Sequence, residues 1–339
     1  MCTIRAGTLE ELTQGSEIFQ SPFWASMKAH NQWVPQVFAY ADRMPFLVLT
    51  RSFPCFTLAY LPGIRESQMP HSGSQLSSAL GLLANSLAVR PSLIRIDSHM
   101  PRRGDWTDRD LTGISSPRHM VQPADTVIIS LTDDPSSGYR TRVKRSLKKA
   151  QEHAIAIQRF QSLKERMDFF SSWYDLYCAT ANRDAFAPRS REYLHRMACY
   201  SGSDVAVELW GAYSGGTLCA GALIGCMGDE ARYLYGCSSP QGLKAGAMYL
   251  LQHRIITSLA QAGYASYDLF GIAPSNEDDH HLASLTQFKL GFGGERVMYV
   301  GTLDYPLHTI RYALYRMLED LRFSARRRST ASRKRSPRS

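Results

Sequence analysis

The stretch Asp204–Phe270 decides the fold. DVAVELWGAY (Asp204–Tyr213), TLCAGALIG (Thr217–Gly225) and RYLYG (Arg232–Gly236) alternate or run apolar over strand lengths, with turn residues between them. LKAGAMYLLQHRIITSLAQA (Leu243–Ala262) then has helical spacing, and SYDLF (Ser266–Phe270) is a further short strand. Working outward, the first half of the chain repeats this order. Strand patterns at Gln36–Tyr40, Pro45–Arg51 and Cys55–Leu61 precede a helix at Ser74–Val89 and a strand at Leu93–Asp97. Each half is a β-meander, a helix and one more strand, and each last strand carries an aspartate, Asp97 or Asp268.

Meander, helix, strand is also the core order of acetyltransferase-like domains, so the expected fold is mixed α/β with two tandem units of that kind. A chain of 339 residues is comfortable for two cores. The expected boundaries are 1–150 plus 306–325 for the first domain, 151–305 for the second, and 326–339 as a disordered basic tail. Asp134 and Pro135 suit a helix start, followed by Tyr139, Val143 and Leu147 at i, i+4 spacing. Arg140, Arg142, Lys144, Arg145, Lys148 and Lys149 surround that stripe. A last helix is expected over Pro306–Phe323.

Hydrophobic residues make up 44% and charged residues 20%, as in ordinary globular proteins. No apolar run reaches membrane-spanning length, and Glu10, Glu11 and Glu17 occupy the place of a secretory leader, so a cytoplasmic protein is expected. Seven cysteines are scattered with no Cys-x-x-Cys pair, against a disulfide framework or a zinc ribbon. The net charge of +9 is local: eight basic residues and no acid lie from Arg322 onward, leaving a nearly neutral body.

Several landmarks in a fixed order resemble the Fem family of peptidoglycan-bridge aminoacyltransferases. The most specific are Tyr267-Asp268-Leu269-Phe270-Gly271-Ile272, then Phe288-Lys289-Leu290-Gly291-Phe292-Gly293-Gly294, then Tyr299-Val300-Gly301. Gln20-Ser21-Pro22-Phe23-Trp24 with Lys28, the Ile96-Asp97 pair, the basic helix, Arg183-Asp184-Ala185-Phe186 with Arg189 and Tyr193, and Tyr233-Leu234-Tyr235-Gly236 support it. The resemblance runs from about Phe19 to Phe323. It implies transfer of an amino acid from aminoacyl-tRNA to the side-chain amine of a precursor stem peptide; from the loops at Asp278–His281 and Gln241–Ala247, no metal and no CoA are expected. It places Lys28 and Arg189 at the precursor diphosphate, and Trp33, Tyr193, Tyr233 and Tyr235 along the substrate groove. Phe288 and Lys289 fall beside the reacting carbonyl, and Asp97 near the precursor peptide. Ser98 stands where many members have proline, and no heptad-bearing insertion corresponds to the coiled-coil arm of FemA and FemB, so the chain is closer to the FemX type.

These residue types suit the chemistry. Aminolysis of an ester needs a neutral amine, a positioned carbonyl and a partner for the developing oxyanion, which a lysine at 289 can supply. The plain alternative is a surface lysine ending a helix. Arginine and lysine suit a diphosphate, and the plain alternative for Lys28 and Arg189 is solvated helix charge. Arg189 and Tyr193, four apart, are expected on one side of a helix, and Tyr233 and Tyr235, two apart on a strand, on one face. Asp97 can accept a proton from the attacking ammonium, whereas Asp268 fits a turn cap. The six basic residues of Arg140–Lys149 suit tRNA phosphates or a solvated helix face. Asp278, Asp279, His280 and His281 lack metal-ligand spacing and are expected to be a polar loop.

Two rivals stand beside this expectation. An acyl-CoA-dependent N-acetyltransferase would cradle pyrophosphate on a glycine-rich loop, but Gln241–Ala247 is degenerate, with Lys244 where glycine is expected. A non-catalytic RNA- or membrane-binding protein would depend on the basic tail. The partners expected are aminoacyl-tRNA, a nucleotide- or lipid-linked precursor, and the inner membrane leaflet through peripheral contact of the tail.

Overall fold

Strand meanders and a helical crossover build each half of the chain. The computed structural model describes residues 3–70, 73–102, 113–132, 134–274, 280 and 282–335, with side chains up to 325. Two compact units result: Met1–Ala124 with Val297–Arg328, and Asp125–Arg296 with Ser329–Ser339. Asp278, Asp279 and His281, raised above as a polar loop, lie outside the described residues.

The first unit opens with β1 (Ile4–Gly7), α1 (Pro22–Ala29), β2 (Val34–Tyr40), β3 (Phe46–Phe53), β4 (Phe56–Ile64), α2 (Gly73–Ser86) and β5 (Leu93–Pro101). Ser21 starts α1 by accepting from Trp24 N at 3.1 Å, with Pro22 in the first turn. The apolar side chains Leu76, Ala79, Leu80 and Leu83 make one stripe of α2 and are buried in a core with Phe46, Val48, Leu61 and Ile96.

The second unit contains β6 (Asp125–Ser130), α3 (Thr141–Glu152), β7 (Ala156–Phe160), α4 (Leu163–Asp184), α5 (Arg191–Ala198), β8 (Ala206–Ser214), β9 (Thr217–Met227) and β10 (Glu230–Ser238). It continues through α6 (Pro240–Ala245), α7 (Ala247–Gln261), β11 (Ser266–Asp268) and α8 (Ala283–Leu290). The chain returns to the first unit through β12 (Glu295–Pro306) and α9 (Thr309–Arg335).

The strands of the first unit run in the order β1-β2-β3-β4-β5-β12, and those of the second β6-β11-β10-β9-β8-β7. Each order contains one parallel step: β4 with β5, and β10 with β11. A parallel step needs a crossover, which α2 makes in the first unit and α6 with α7 make in the second. The repeated layout read from the sequence is therefore present in both units.

The structure departs from the sequence pattern at several points. The helix expected over Leu243–Ala262 is two helices, because Gly246 takes φ 76° and a Cβ there would lie 2.5 Å from Ser146 O. Asp134 does not cap a helix. Its carboxylate accepts from Ser136 N at 2.9 Å in a turn, and α3 starts only at Thr141. Asp97 is not at a strand end, since β5 continues to Pro101, paired with β12. The last helix runs to Arg335 and not to Phe323. The sequence beyond Phe323 is rich in arginine, a good helix former, and has no proline before Pro337. Among the described residues no helix is long and apolar enough to cross a membrane.

Candidate active site

In the second unit the site is built on the turn after β11. Asp268 is buried, and its carboxylate accepts from Phe270 N at 2.7 Å, from Arg232 Nε at 3.0 Å and from the Thr126 hydroxyl. It is a turn cap, as its sequence position suggests. Phe270 takes φ 58°, a left-handed conformation that non-glycine residues seldom adopt. Lys289 of α8 holds the other side of this turn, with Nζ donating to Phe270 O and, at 2.8 Å, to Gly271 O. A strained turn of this kind persists only when its surroundings fix it from more than one side.

Lys289 is 4% exposed. The surface lysine considered from the sequence is thus a buried one. Thr286, one turn earlier on α8, is buried as well and accepts from Ala273 N at 2.9 Å, so the inner face of α8 is polar and hydrogen-bonded to the turn after β11. Burial pulls the Lys289 pKa down to about 7, with the Asp268 carboxylate opposing that shift. Its ammonium lies 6.0 Å from the centre of the Tyr233 ring. Phe288, the neighbouring residue, is half-buried and meets Tyr249 and Phe292 edge-on at 4.9 and 5.3 Å.

The glycines after Lys289 close the motif on α3. A Cβ at Gly293 would lie 2.3 Å from Gly138 O, and Arg140 N donates to Gly291 O at 2.9 Å. The start of the basic helix is thereby tied to the end of α8. Val143 and Ala150 face the core, while Arg140, Arg142, Lys144, Arg145, Lys148 and Lys149 are exposed. None of these six makes an ion pair among the described residues.

Tyr233 and Tyr235 do not share a face. Partners step only from Ile224 to Leu223 while β10 steps from Tyr233 to Tyr235, so Leu234 is the extra residue of a β-bulge. Tyr233 turns toward Met248 and Lys289, whereas Tyr235 meets the Tyr177 ring at 6.0 Å and lies close to Arg189 and Tyr193. Burial raises the Tyr235 pKa, and the Arg189 charge opposes that shift. Arg189 lies before the Ser190 cap of α5, not within the helix with Tyr193. The two nevertheless meet through Tyr235, leaving an exposed arginine beside tyrosine hydroxyls.

The first unit holds its own cluster. Asp97 is 2% exposed and accepts from Thr302 Oγ1 at 2.6 Å, its cross-strand partner on β12, and from the Tyr60 hydroxyl. Burial raises its pKa against those two hydrogen bonds. The Trp33 ring lies 5.9 Å from that of Tyr60. Lys28 places its ammonium 4.4 Å from the centre of the Trp24 ring.

Other buried charges escaped the sequence pattern. Arg95, 2% exposed, pairs with Asp304 through Nε at 2.7 Å and through its second amine at 2.8 Å, and reaches Glu319 of α9 at 2.5 Å. His99 Nδ1 lies 2.8 Å from Glu17, which also takes Arg65 at 3.1 Å. The available signal was Arg95 and Asp97 on alternate positions of the otherwise apolar stretch Leu93–Asp97, where a buried cation needs a partner.

Comparisons with known proteins place this geometry. Residues 204–320 match the FemAB family. Aminoacyltransferase FemA of Staphylococcus epidermidis is 27% identical over 93 residues, which cover 27% of this chain and 22% of that protein's length. The crystal structure of FemX superposes with a TM-score of 0.75 at 16% identity, over 92% of this chain and 99% of that one. L-PGS from Bacillus licheniformis gives 0.50 at 13% identity, over 77% and 80%. The Tyr267–Ile272 turn, α8 with Lys289 and the glycines that close it all fall inside the matched stretch. The chain thus carries a FemAB-family segment, residues 204–320, in a FemX-like fold.

Proposed function

We propose that the chain is an aminoacyltransferase that moves an aminoacyl group from charged tRNA onto a side-chain amine of a peptidoglycan precursor's stem peptide. One observation carries this: a buried lysine with a pKa near neutrality, inside the FemAB-family segment, holding the strained turn after β11. An ammonium has three N–H groups, and two of those on Lys289 are directed to the Phe270 and Gly271 carbonyls. The third is the donor for an oxyanion. The acceptor amine attacks the ester carbonyl, a C–N bond forms and the C–O bond to the tRNA ribose breaks. The proton lost by the amine passes to the ribose oxygen, and a group that titrates near 7 suits that relay.

The other assignments follow the same reading. Phe288 forms the apolar wall beside the carbonyl. Asp97, whose burial raises its pKa and so makes its carboxylate a stronger base, takes the amine proton on its way to the ribose oxygen. Lys28 and Arg189 hold precursor phosphates, with Trp33, Tyr193, Tyr233 and Tyr235 lining the substrate path. The exposed cations of α3 meet tRNA phosphates. The basic run Arg326–Arg338 lies outside the chemistry and suits an anionic surface. Where an acyl-CoA enzyme would offer open amides, Pro240–Ala245 is helical and Gly246 N donates to Leu243 O, which supports tRNA over CoA as donor. No cofactor is required.

Radiolabelled aminoacyl-tRNAs and radiolabelled acetyl-CoA, each supplied with nucleotide-linked pentapeptide, test the proposal. Label should enter the peptide from tRNA. Incorporation from acetyl-CoA alone would overturn it.

A further inference from the structure

α9 has two faces. On one, Tyr312 donates to Asp304 at 3.0 Å, Tyr315 stacks on Phe56 at 4.8 Å, Glu319 takes Arg95, and Phe323 stacks on His119 at 3.9 Å. These contacts lock the helix to the first unit. On the opposite face Ile310, Leu314, Met317, Leu318 and Leu321 recur at i, i+4, i+7, i+8 and i+11. They are 77%, 47%, 52%, 46% and 59% exposed. Scattered exposed apolar side chains are normal, but a continuous helical stripe of five is the pattern a helix shows when something covers it.

The charge around the stripe identifies the cover. Arg311 and Arg322 are exposed at its margin, and after Asp320 the sequence has eight basic residues and no acid. The helix continues without a break into that run. We propose that α9 docks the chain on an anionic lipid surface, its apolar stripe entering the interface while the flanking and following cations contact headgroups. A helix with an apolar face and a strongly cationic remainder is the usual interfacial binder, and anionic lipid draws each added cation. A second copy of the chain is the less fitting occupant, because pairing two such helices brings like charges together. The inference rests on reading the basic run as an anionic-surface contact, and is independent of the transfer chemistry.

Sedimentation of the full chain with vesicles tests it. Wild type should bind phosphatidylglycerol-containing vesicles and not phosphatidylcholine vesicles, with binding lost as salt is raised. The double variant Leu314→Ser/Leu321→Ser keeps the charge and removes apolar area. It should lower partition more than about tenfold while leaving melting temperature and turnover on a soluble precursor unchanged. Replacing the seven basic residues of Arg326–Arg338 by glutamine should also abolish binding. Binding retained by that second variant refutes the reading of the run, and binding retained by the serine variant refutes the role of the stripe. A wild-type dimer in solution that the serine variant dissociates would assign the stripe to a second copy and overturn the proposal.

Discussion

Replacing Lys289 by methionine removes a buried amine whose ionisation the fold opposes, and the consequence is a stability difference that changes with pH. In the unfolded chain the amine titrates at its ordinary 10.5, whereas in the fold burial holds it at about 7. Between those values the unfolded chain holds the extra proton, folding releases it, and rising pH favours the fold. The gap is about 3.5 pH units (10.5 to about 7), or roughly 5 kcal/mol at 1.36 kcal/mol per unit. Methionine has no such proton. Stability of wild type relative to Lys289→Met should therefore rise by about 1.4 kcal/mol per pH unit above 7, or about 2–3 kcal/mol by pH 9. Below pH 7 the difference should be flat. Urea unfolding of both proteins at half-unit steps from pH 6 to 9 measures it directly. A difference that stays constant from pH 7 to 9 would mean that Lys289 titrates like a surface lysine, and the picture of a near-neutral amine at this turn would fail.

Gly246→Ala should cost more than about 1 kcal/mol and broaden the unfolding transition, because the residue needs a positive φ and a Cβ there meets Ser146 O; differential scanning calorimetry reads this out. Arg95→Met should destabilise by about 3–5 kcal/mol, since it leaves Asp304 buried and unpaired, and adding Asp304→Leu should restore most of the loss in urea titrations. Arg189→Ala or Lys28→Ala should weaken binding of the nucleotide precursor more than about tenfold by calorimetric titration, at about 1.5–3 kcal/mol per charge-assisted contact.

Much of the fold was legible because each half is half-buried sheet, where apolar alternation has a period of two, followed by one helix whose apolar stripe has a period near 3.6. What escaped depends on partners distant in sequence. β12 was visible only as Tyr299-Val300-Gly301, because nothing local says that it returns to β5. The bulge at Leu234 breaks strict alternation without changing composition, so Tyr233 and Tyr235 looked like neighbours on one face. Gly246 looked like a tolerable helix glycine until Ser146 was seen against it. For the site, Lys289 was located by its motif, but its burial was not. Lysine is commonly a surface residue, and the carbonyls that receive it belong to a turn 18 and 19 residues earlier. Arg95 and Glu319 are 224 residues apart in sequence, and only the folded first unit brings them together.

The central claim is tested most directly by the product. Purified chain is incubated with a mixed pool of charged tRNAs and the nucleotide-linked pentapeptide, and the peptide is then weighed and fragmented. A mass increase of one amino-acid residue on a side-chain amine of the stem peptide, dependent on charged tRNA and lost in Lys289→Met under conditions where that variant is folded, is the predicted result. An unmodified peptide with active wild-type protein and intact charged tRNA, or equal product from Lys289→Met, would contradict the account.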